Sequence, residues 1–275
     1  MREIVLVLLV ALLPMLFAAC GASEEVDSDM SPNNGEITAT DLTQTVLDKD
    51  VTYRFLFIGN SYTYYNELWT MFRSVAQSAG YRVRVDSVTK GSYYLDQFAD
   101  AKDPYGAQVK EKLEKNTYDY VFLQEQSTAP ILHYDRFSAG AQTLFGMISD
   151  NGAECLLYQT WGRKAGHSTL EKNNWTNESM TRDLEAAYGR LAEALQVRVS
   201  PVGTAFYKAY TEHPEIDLYD EDLTHPSRAG TYLAALCHFA TVMGEDPVTV
   251  TFNGGLSAAE ATVLKQVASD VIFGK

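Results

Sequence analysis

The feature that most constrains the fold is a repeated alternation of short apolar runs with segments of helical period. The runs fall at 55–58, 118–123, 153–158 and 197–202, and a second strand pattern, alternating Val83 and Val85 with polar residues, falls at 82–88. Between and after them lie segments such as 66–79, where Leu68, Met71, Phe72, Val75 and Ala76 recur at helical spacing. Similar patterns cover 106–115, 137–148, 180–195, 202–210 and 227–243. Phe55-Leu56-Phe57-Ile58 suits a strand buried on both faces, as in a parallel sheet covered by helices. The alternation predicts an α/β fold, three layers deep (α/β/α), around a five-stranded parallel sheet. The last run carries Pro201, which suits a sheet edge.

The first fifty residues stand apart from this pattern. Residues 1–19 have the form of a signal peptide: Arg2 gives a charged start, and the apolar stretch 4–17 is shorter than the ~20 residues of a membrane-spanning helix. Phe17-Ala18-Ala19-Cys20 resembles a bacterial lipobox, which makes Cys20 the expected lipidation site; a plain secretory signal is the alternative. A lipidated Cys20 would hold the chain on the outer side of the bacterial cell membrane. Residues 20–50 are rich in Ser, Glu, Asp, Asn and Thr and suit a flexible tether. Residues 51–275 are long enough for one domain with a full core.

A net charge of −14 argues against nucleic-acid partners and against docking on anionic lipid, so membrane contact is expected through Cys20 alone. A monomer is expected. Cys155 falls in an apolar run and Cys237 in an apolar helical segment, which suits buried free thiols, with a disulfide left open. CxxC, HExxH and clustered histidines are absent from the sequence, so no metal site is expected.

The residues that suggest chemistry lie just after the apolar runs, where open α/β sheets bind ligands. Gly59-Asn60-Ser61 breaks the first run, and Ser61 there serves either as a helix cap or as an exposed nucleophile. Gly91 follows the second strand pattern and marks a turn or a close backbone approach. Gln124-Glu125-Gln126-Ser127 follows the third, where a side-chain amide could donate to an oxyanion. Trp161 follows the fourth and is a candidate wall for a substrate pocket, with a place in the core as the alternative; 162–177 is a candidate loop over the site. Asp222 and His225 are three apart in a polar loop before Pro226, so one turn can bring a carboxylate to the imidazole. Asp220 and Glu221 crowd the same loop, and spacing alone leaves open which acid orients His225.

Gly-Asn-Ser61 near the start of this region and Asp222-x-x-His225 near its end resemble the first and last blocks of the SGNH (GDSL-type) hydrolase superfamily, over about residues 53–243. The resemblance implies a flavodoxin-like α/β/α fold and a Ser61-His225-Asp222 triad. It also implies an oxyanion hole from the N–H groups of Ser61 and Gly91 with a third side chain, and no cofactor. Asn60 stands where the family usually has Asp, and it joins Trp161 as a candidate pocket residue. The family's Gly-x-Asn-Asp block is replaced by Gln124-Glu125-Gln126-Ser127, similar to the Gln-Gly-Glu-Ser pattern of the sialate O-acetylesterase-like branch. That makes Gln124 the expected third donor, with Gln126 the alternative. The implied activity is hydrolysis of esters, O-acetyl groups on carbohydrate foremost. The other readings are a lipid or thioester hydrolase of the same fold and a carbohydrate-binding lipoprotein without turnover.

Overall fold

The structure, a computed structural model, describes residues 46–274. The signal-peptide and Cys20 expectations, and the tether up to residue 45, lie outside the described residues. Residues 46–50 are joined to the body of the fold: Leu47 donates its N–H to Met243 O at 3.1 Å, and Lys49 Nζ pairs with Glu245 at 2.7 Å.

Five strands, β1 (Thr52–Gly59), β2 (Arg82–Thr89), β3 (Tyr120–Leu123), β4 (Glu154–Tyr158) and β5 (Arg198–Ser200), form one all-parallel sheet in the order β2-β1-β3-β4-β5. The helices, in chain order, are α1 (Ser61–Tyr64), α2 (Leu68–Ser78), α3 (Leu95–Ala99), α4 (Pro104–Lys115), α5 (Ala129–Leu132), α6 (Tyr134–Asn151), α7 (Ser168–Asn173), α8 (Asn177–Leu195), α9 (Val202–Glu212), α10 (Arg228–Met243) and α11 (Ala258–Phe273).

Strand alternation sorts the core into two layers. Phe55, Phe57, Phe122, Leu156 and Tyr158 pack with α2, α9, α10 and α11, while Leu56, Ile58, Val121, Leu123 and Leu157 pack with α3, α4, α6 and α8. Cys237 lies in the first layer and Cys155 in the second, both buried and free. Helix α10 is buried from Ala229 through Met243, including His238. Burial drives the His238 ring down to about 3, which keeps it neutral, and its Nδ1 meets Ser200 Oγ at 2.8 Å.

The sheet order fixes where a site can form. β2 lies on one side of β1 and β3 on the other, so the crevice between the carboxyl ends of β1 and β3 is a topological switch point. Three local details differ from the pattern read in the sequence. The helix expected over 66–79 begins at Leu68, after the single turn α1 and after Asn66 and Glu67, whose left-handed φ values of 51° and 52° interrupt the rise. Strand β5 stops before Pro201, which caps α9. Helices α3, α5, α7 and α11 are additions; α11 opens with a Ser257/Glu260 capping box, a readable signal.

Gly59, the last residue of β1, is required by contact. A Cβ there would lie 2.4 Å from Thr63 Oγ1 and 2.5 Å from Gln124 Oε1. Gly59→Ala is therefore expected to destabilise the fold by about 1–3 kcal/mol, read as a lower urea midpoint at unchanged m-value.

Candidate active site

The turn after β1 is held from below by two amides. Gln124 Oε1 accepts the Asn60 N–H at 2.8 Å and the Thr63 hydroxyl at 2.9 Å, while its Nε2 donates to Asn60 Oδ1 at 2.9 Å and to Glu125 O at 2.5 Å. Asn60 Oδ1 also accepts the Tyr62 N–H, and its Nδ2 donates to Tyr93 O at 3.0 Å, tying the β1 turn to the loop after β2. An Asp at position 60 could not make that last bond, which accounts for Asn in this place. Asn60 and Gln124 are 3 % and 1 % exposed. Two expectations are corrected here. Asn60 does not line a pocket, and both Nε2 hydrogens of Gln124 are engaged beneath the turn, so this side chain has none left for an oxyanion. Gln126 is also committed: its Oε1 accepts the N–H groups of Thr128 and Ala129 at 2.9 and 3.1 Å, and its Nε2 faces Ser127 Oγ at 3.3 Å.

Above that base Ser61 begins α1, and its Oγ lies 2.8 Å from His225 Nε2. His225 Nδ1 is hydrogen-bonded to Asp222 Oδ2. Asp222 Oδ1 accepts the N–H groups of Thr224 and His225 at 3.0 and 2.9 Å, so one carboxylate both folds the loop and orients the ring. Partial burial raises the Asp222 carboxyl, but the bonds from the His225 ring and from the two N–H groups outweigh it and leave the group below its ordinary range. Asp222 is thus the acid at His225; Asp220 instead accepts the N–H of Glu221.

The loop carrying His225 is fixed from the core. Trp161 is fully buried, stacked between Tyr62 at 4.4 Å and Phe206 at 4.1 Å, and its Nε1 donates to Thr224 O at 3.1 Å. Tyr62 and Thr224 share a 2.5 Å hydroxyl contact. Trp161 is therefore not a pocket wall, which corrects that expectation: an indole at a strand end packs inward here because two aromatic faces and a carbonyl satisfy it completely. On the outer side, Asn66 Nδ2 donates to Pro226 O at 3.0 Å and Thr231 Oγ1 at 2.9 Å, which explains its left-handed backbone. The 162–177 segment is anchored rather than free. Lys164 N–H donates to Leu223 O at 3.0 Å, Asn177 Nδ2 donates to the carbonyls of Gly162 and Arg163, and α7 occupies its middle. Arg163 bonds to Ser127 Oγ, His167 Nε2 and Thr169 Oγ1 and has no carboxylate partner among the described residues.

The loop after β2 supplies the far side. Neither the Ser61 nor the Gly91 N–H has a protein acceptor among the described residues. The left-handed residue in this loop is Ser92 (φ 64°), not Gly91; Gly91 is small because a Cβ there would meet Tyr64 Oη at 3.0 Å. Glu125, fully buried, accepts the N–H groups of Leu95 at 3.2 Å and Gln126 at 2.5 Å, clamping this loop to the end of β3. Burial raises its carboxyl to about 7 against the opposing pull of those bonds. The sequence reading missed Tyr64 and Tyr65. Tyr65 stacks flat on His225 at 4.1 Å and 8°, and Tyr64 stacks on Tyr65 at 5.6 Å and 28°. Their position within one turn of Ser61 is the signal that could have found them.

No protein-family model and no curated protein sequence matches the chain. Solved structures do. A proposed SGNH hydrolase from Slackia heliotrinireducens is 27% identical with a TM-score of 0.62, over 70% of this chain and 99% of that one. A DUF4886 family protein from Bacteroides uniformis is 17% identical with a TM-score of 0.71, over 81% of this chain and 95% of that one. A single-residue variant of an acetyl-xylooligosaccharide esterase from Geobacillus Stearmophilus is 14% identical with a TM-score of 0.51, over 69% of this chain and 94% of that one.

The raised Glu125 carboxyl makes a signed prediction. The folded state holds this proton up to about pH 7, whereas the unfolded carboxyl releases it near 4.5. The stabilisation is complete below the lower value and fades as pH rises through the upper one, on the order of 3 kcal/mol in all. Urea unfolding between pH 5 and 8 is expected to show this decline in wild type and a flatter profile in Glu125→Gln.

Proposed function

The chain belongs to the SGNH hydrolase superfamily, and from that premise we propose that it is a serine esterase working through Ser61, His225 and Asp222. The observation that carries the reading is the bridging imidazole, with Ser61 Oγ at 2.8 Å from Nε2 and Asp222 on Nδ1. That bond fixes the tautomer, so Nε2 is left with the lone pair that a serine hydroxyl needs.

Ser61 Oγ attacks the ester carbonyl carbon as its proton passes to His225 Nε2. The carbonyl π pair moves to oxygen, and the oxyanion is met by the N–H groups of Ser61 and Gly91. Collapse expels the alcohol oxygen, which takes the proton from His225 and leaves an acyl group on Ser61. Water then attacks the acyl carbon, gives a proton to His225, and the second tetrahedral species releases a carboxylic acid and returns the proton to Ser61. Asp222 stays ionised and balances the imidazolium. The helix behind the nucleophile contributes backbone N–H groups more than a dipole, since α1 is only four residues long.

A short acyl group on carbohydrate is the proposed substrate. It is supported by the Geobacillus esterase named above and by the extracytoplasmic, Cys20-anchored location that residues 1–20 suggest.

Hydrolysis of p-nitrophenyl acetate, longer p-nitrophenyl esters and acetylated xylan by the full chain tests the reading. Ser61→Ala and His225→Ala are expected to lose at least about 10³-fold in kcat with unchanged circular dichroism, and Asp222→Asn about 10²–10⁴-fold. Activity confined to long acyl chains would redirect the substrate class. A folded wild type inactive on every ester would overturn the reading.

A further inference from the structure

If the esterase reading holds, a side-chain donor would add to the two backbone N–H groups of the oxyanion hole, and Gln124 is not placed to be that donor. Gln124 has spent both amide hydrogens beneath the nucleophile turn, while Gln126 caps α5 through Oε1 and turns Nε2 to Ser127 Oγ. The Ser61 and Gly91 N–H groups remain, and the Tyr64 hydroxyl lies beside Gly91.

The geometry points to Tyr64 Oη as the third donor of the oxyanion hole, a catalytic role supplied from the nucleophile's own helical turn. Ser61 and Tyr64 are three apart on α1, so their side chains leave the same side of the turn. The Tyr64 ring crosses from α1 to the loop after β2. Its hydroxyl would lie 3.0 Å from a Cβ on Gly91, and its Cε1 3.7 Å from the same point. This sets the phenol beside Gly91, whose N–H has no acceptor among the described residues. Tyr64 Oη makes no hydrogen bond among the described residues, and the side chain is 37 % exposed, so its hydrogen is available to a ligand.

The ring is also held. Tyr64 stacks on Tyr65, and Tyr65 stacks on His225. The stack runs from donor to base, so the phenol is oriented before substrate arrives and needs little reorganisation as charge develops. Phenols are protonated at neutral pH and donate without transferring the proton. The O–H bond of Tyr64 stays intact while negative charge grows on the substrate oxygen, and the hydrogen bond is strongest at the tetrahedral stage. This also gives Gly91 a reason to lack a side chain beyond its backbone: any Cβ would press on the donor.

The test is Tyr64→Phe in the full chain, which keeps the stacking ring and removes only the hydroxyl, beside Tyr64→Leu, which removes the ring. Steady-state kinetics on p-nitrophenyl acetate and inhibition by phenylboronic acid, whose Ser61 adduct mimics the tetrahedral stage, are the readouts. The expected result for Tyr64→Phe is a loss of about 10²-fold in kcat with KM within twofold, and a parallel weakening of boronate inhibition. Wild-type kcat and boronate affinity in Tyr64→Phe would overturn the assignment, and so would a defect confined to KM in Tyr64→Leu, which marks the ring as a binding surface only. Loss of activity in Gln126→Leu with Tyr64→Phe unaffected would move the role to Gln126. A wild type that neither turns over esters nor binds boronate overturns the esterase reading itself, and this assignment with it.

Discussion

Everything at the carboxyl edge of this sheet depends on the buried amide pair of Asn60 and Gln124. Two side chains, each with donors and acceptors, are packed where water does not reach, and between them they satisfy the Asn60 N–H, the Tyr62 N–H, the Thr63 hydroxyl and two carbonyls. A network this fully paired is rigid, because breaking any bond strands a buried polar atom at a cost of roughly 1–3 kcal/mol. The pair joins the ends of β1, β2 and β3 at a single point. The Ser61 turn and the Gly91 loop are therefore not independent loops but two parts of one hydrogen-bonded unit.

The His225 loop approaches from the other side with a different kind of support. Its carbonyl at Thr224 is held by the Trp161 indole, its threonine hydroxyl by Tyr62, and the carbonyl after His225 by Asn66. Trp161 belongs to the aromatic core that also contains Phe206 and Tyr158. The position of the imidazole is thus set by core packing, and an exposed loop inherits the order of the interior. Tyr65 completes the arrangement by lying flat on the imidazole ring. The left-handed backbone at Asn66 and Glu67 is the conformational cost, about 1–3 kcal/mol per residue, of turning the chain sharply enough to put Tyr65 there before α2 begins.

Strands β1, β3 and β4 are legible in the sequence because burial on both faces leaves continuous apolar runs, β2 because its valines alternate with polar residues, and helix periods because α2, α6 and α8 each bury one stripe. Ser61 is legible because it follows a strand end, and His225 as its partner because Asp222-x-x-His225 resembles the last block of a known family, although that loop follows α9 rather than a strand. Direction is not legible. Gln124 and Trp161 stand at strand ends as a ligand-facing residue would, yet Gln124 points under the turn and Trp161 into the core. Which way a strand-end side chain turns is decided by partners more than sixty residues away, such as Asn60 for Gln124 and Thr224 for Trp161. Helix α3 was hidden for a related reason: five residues carry too little period to register, and its place is set by Glu125 binding the Leu95 N–H.

The sorting of the two cysteines into separate layers has a consequence for how the protein is made. Cys155 belongs to the layer packed by α6 and α8 and Cys237 to the layer packed by α10, with the sheet between them. Burial drives both thiols well above their ordinary range, so neither is a reactive thiolate in the folded state. Between these two residues the native fold contains no covalent cross-link to form or reshuffle. A chain released unfolded into an oxidising compartment would need neither an oxidant nor a disulfide isomerase at these positions to reach the native state. The hazard runs the other way, since a bond between Cys155 and Cys237 made before collapse would have to be reduced before the sheet could close.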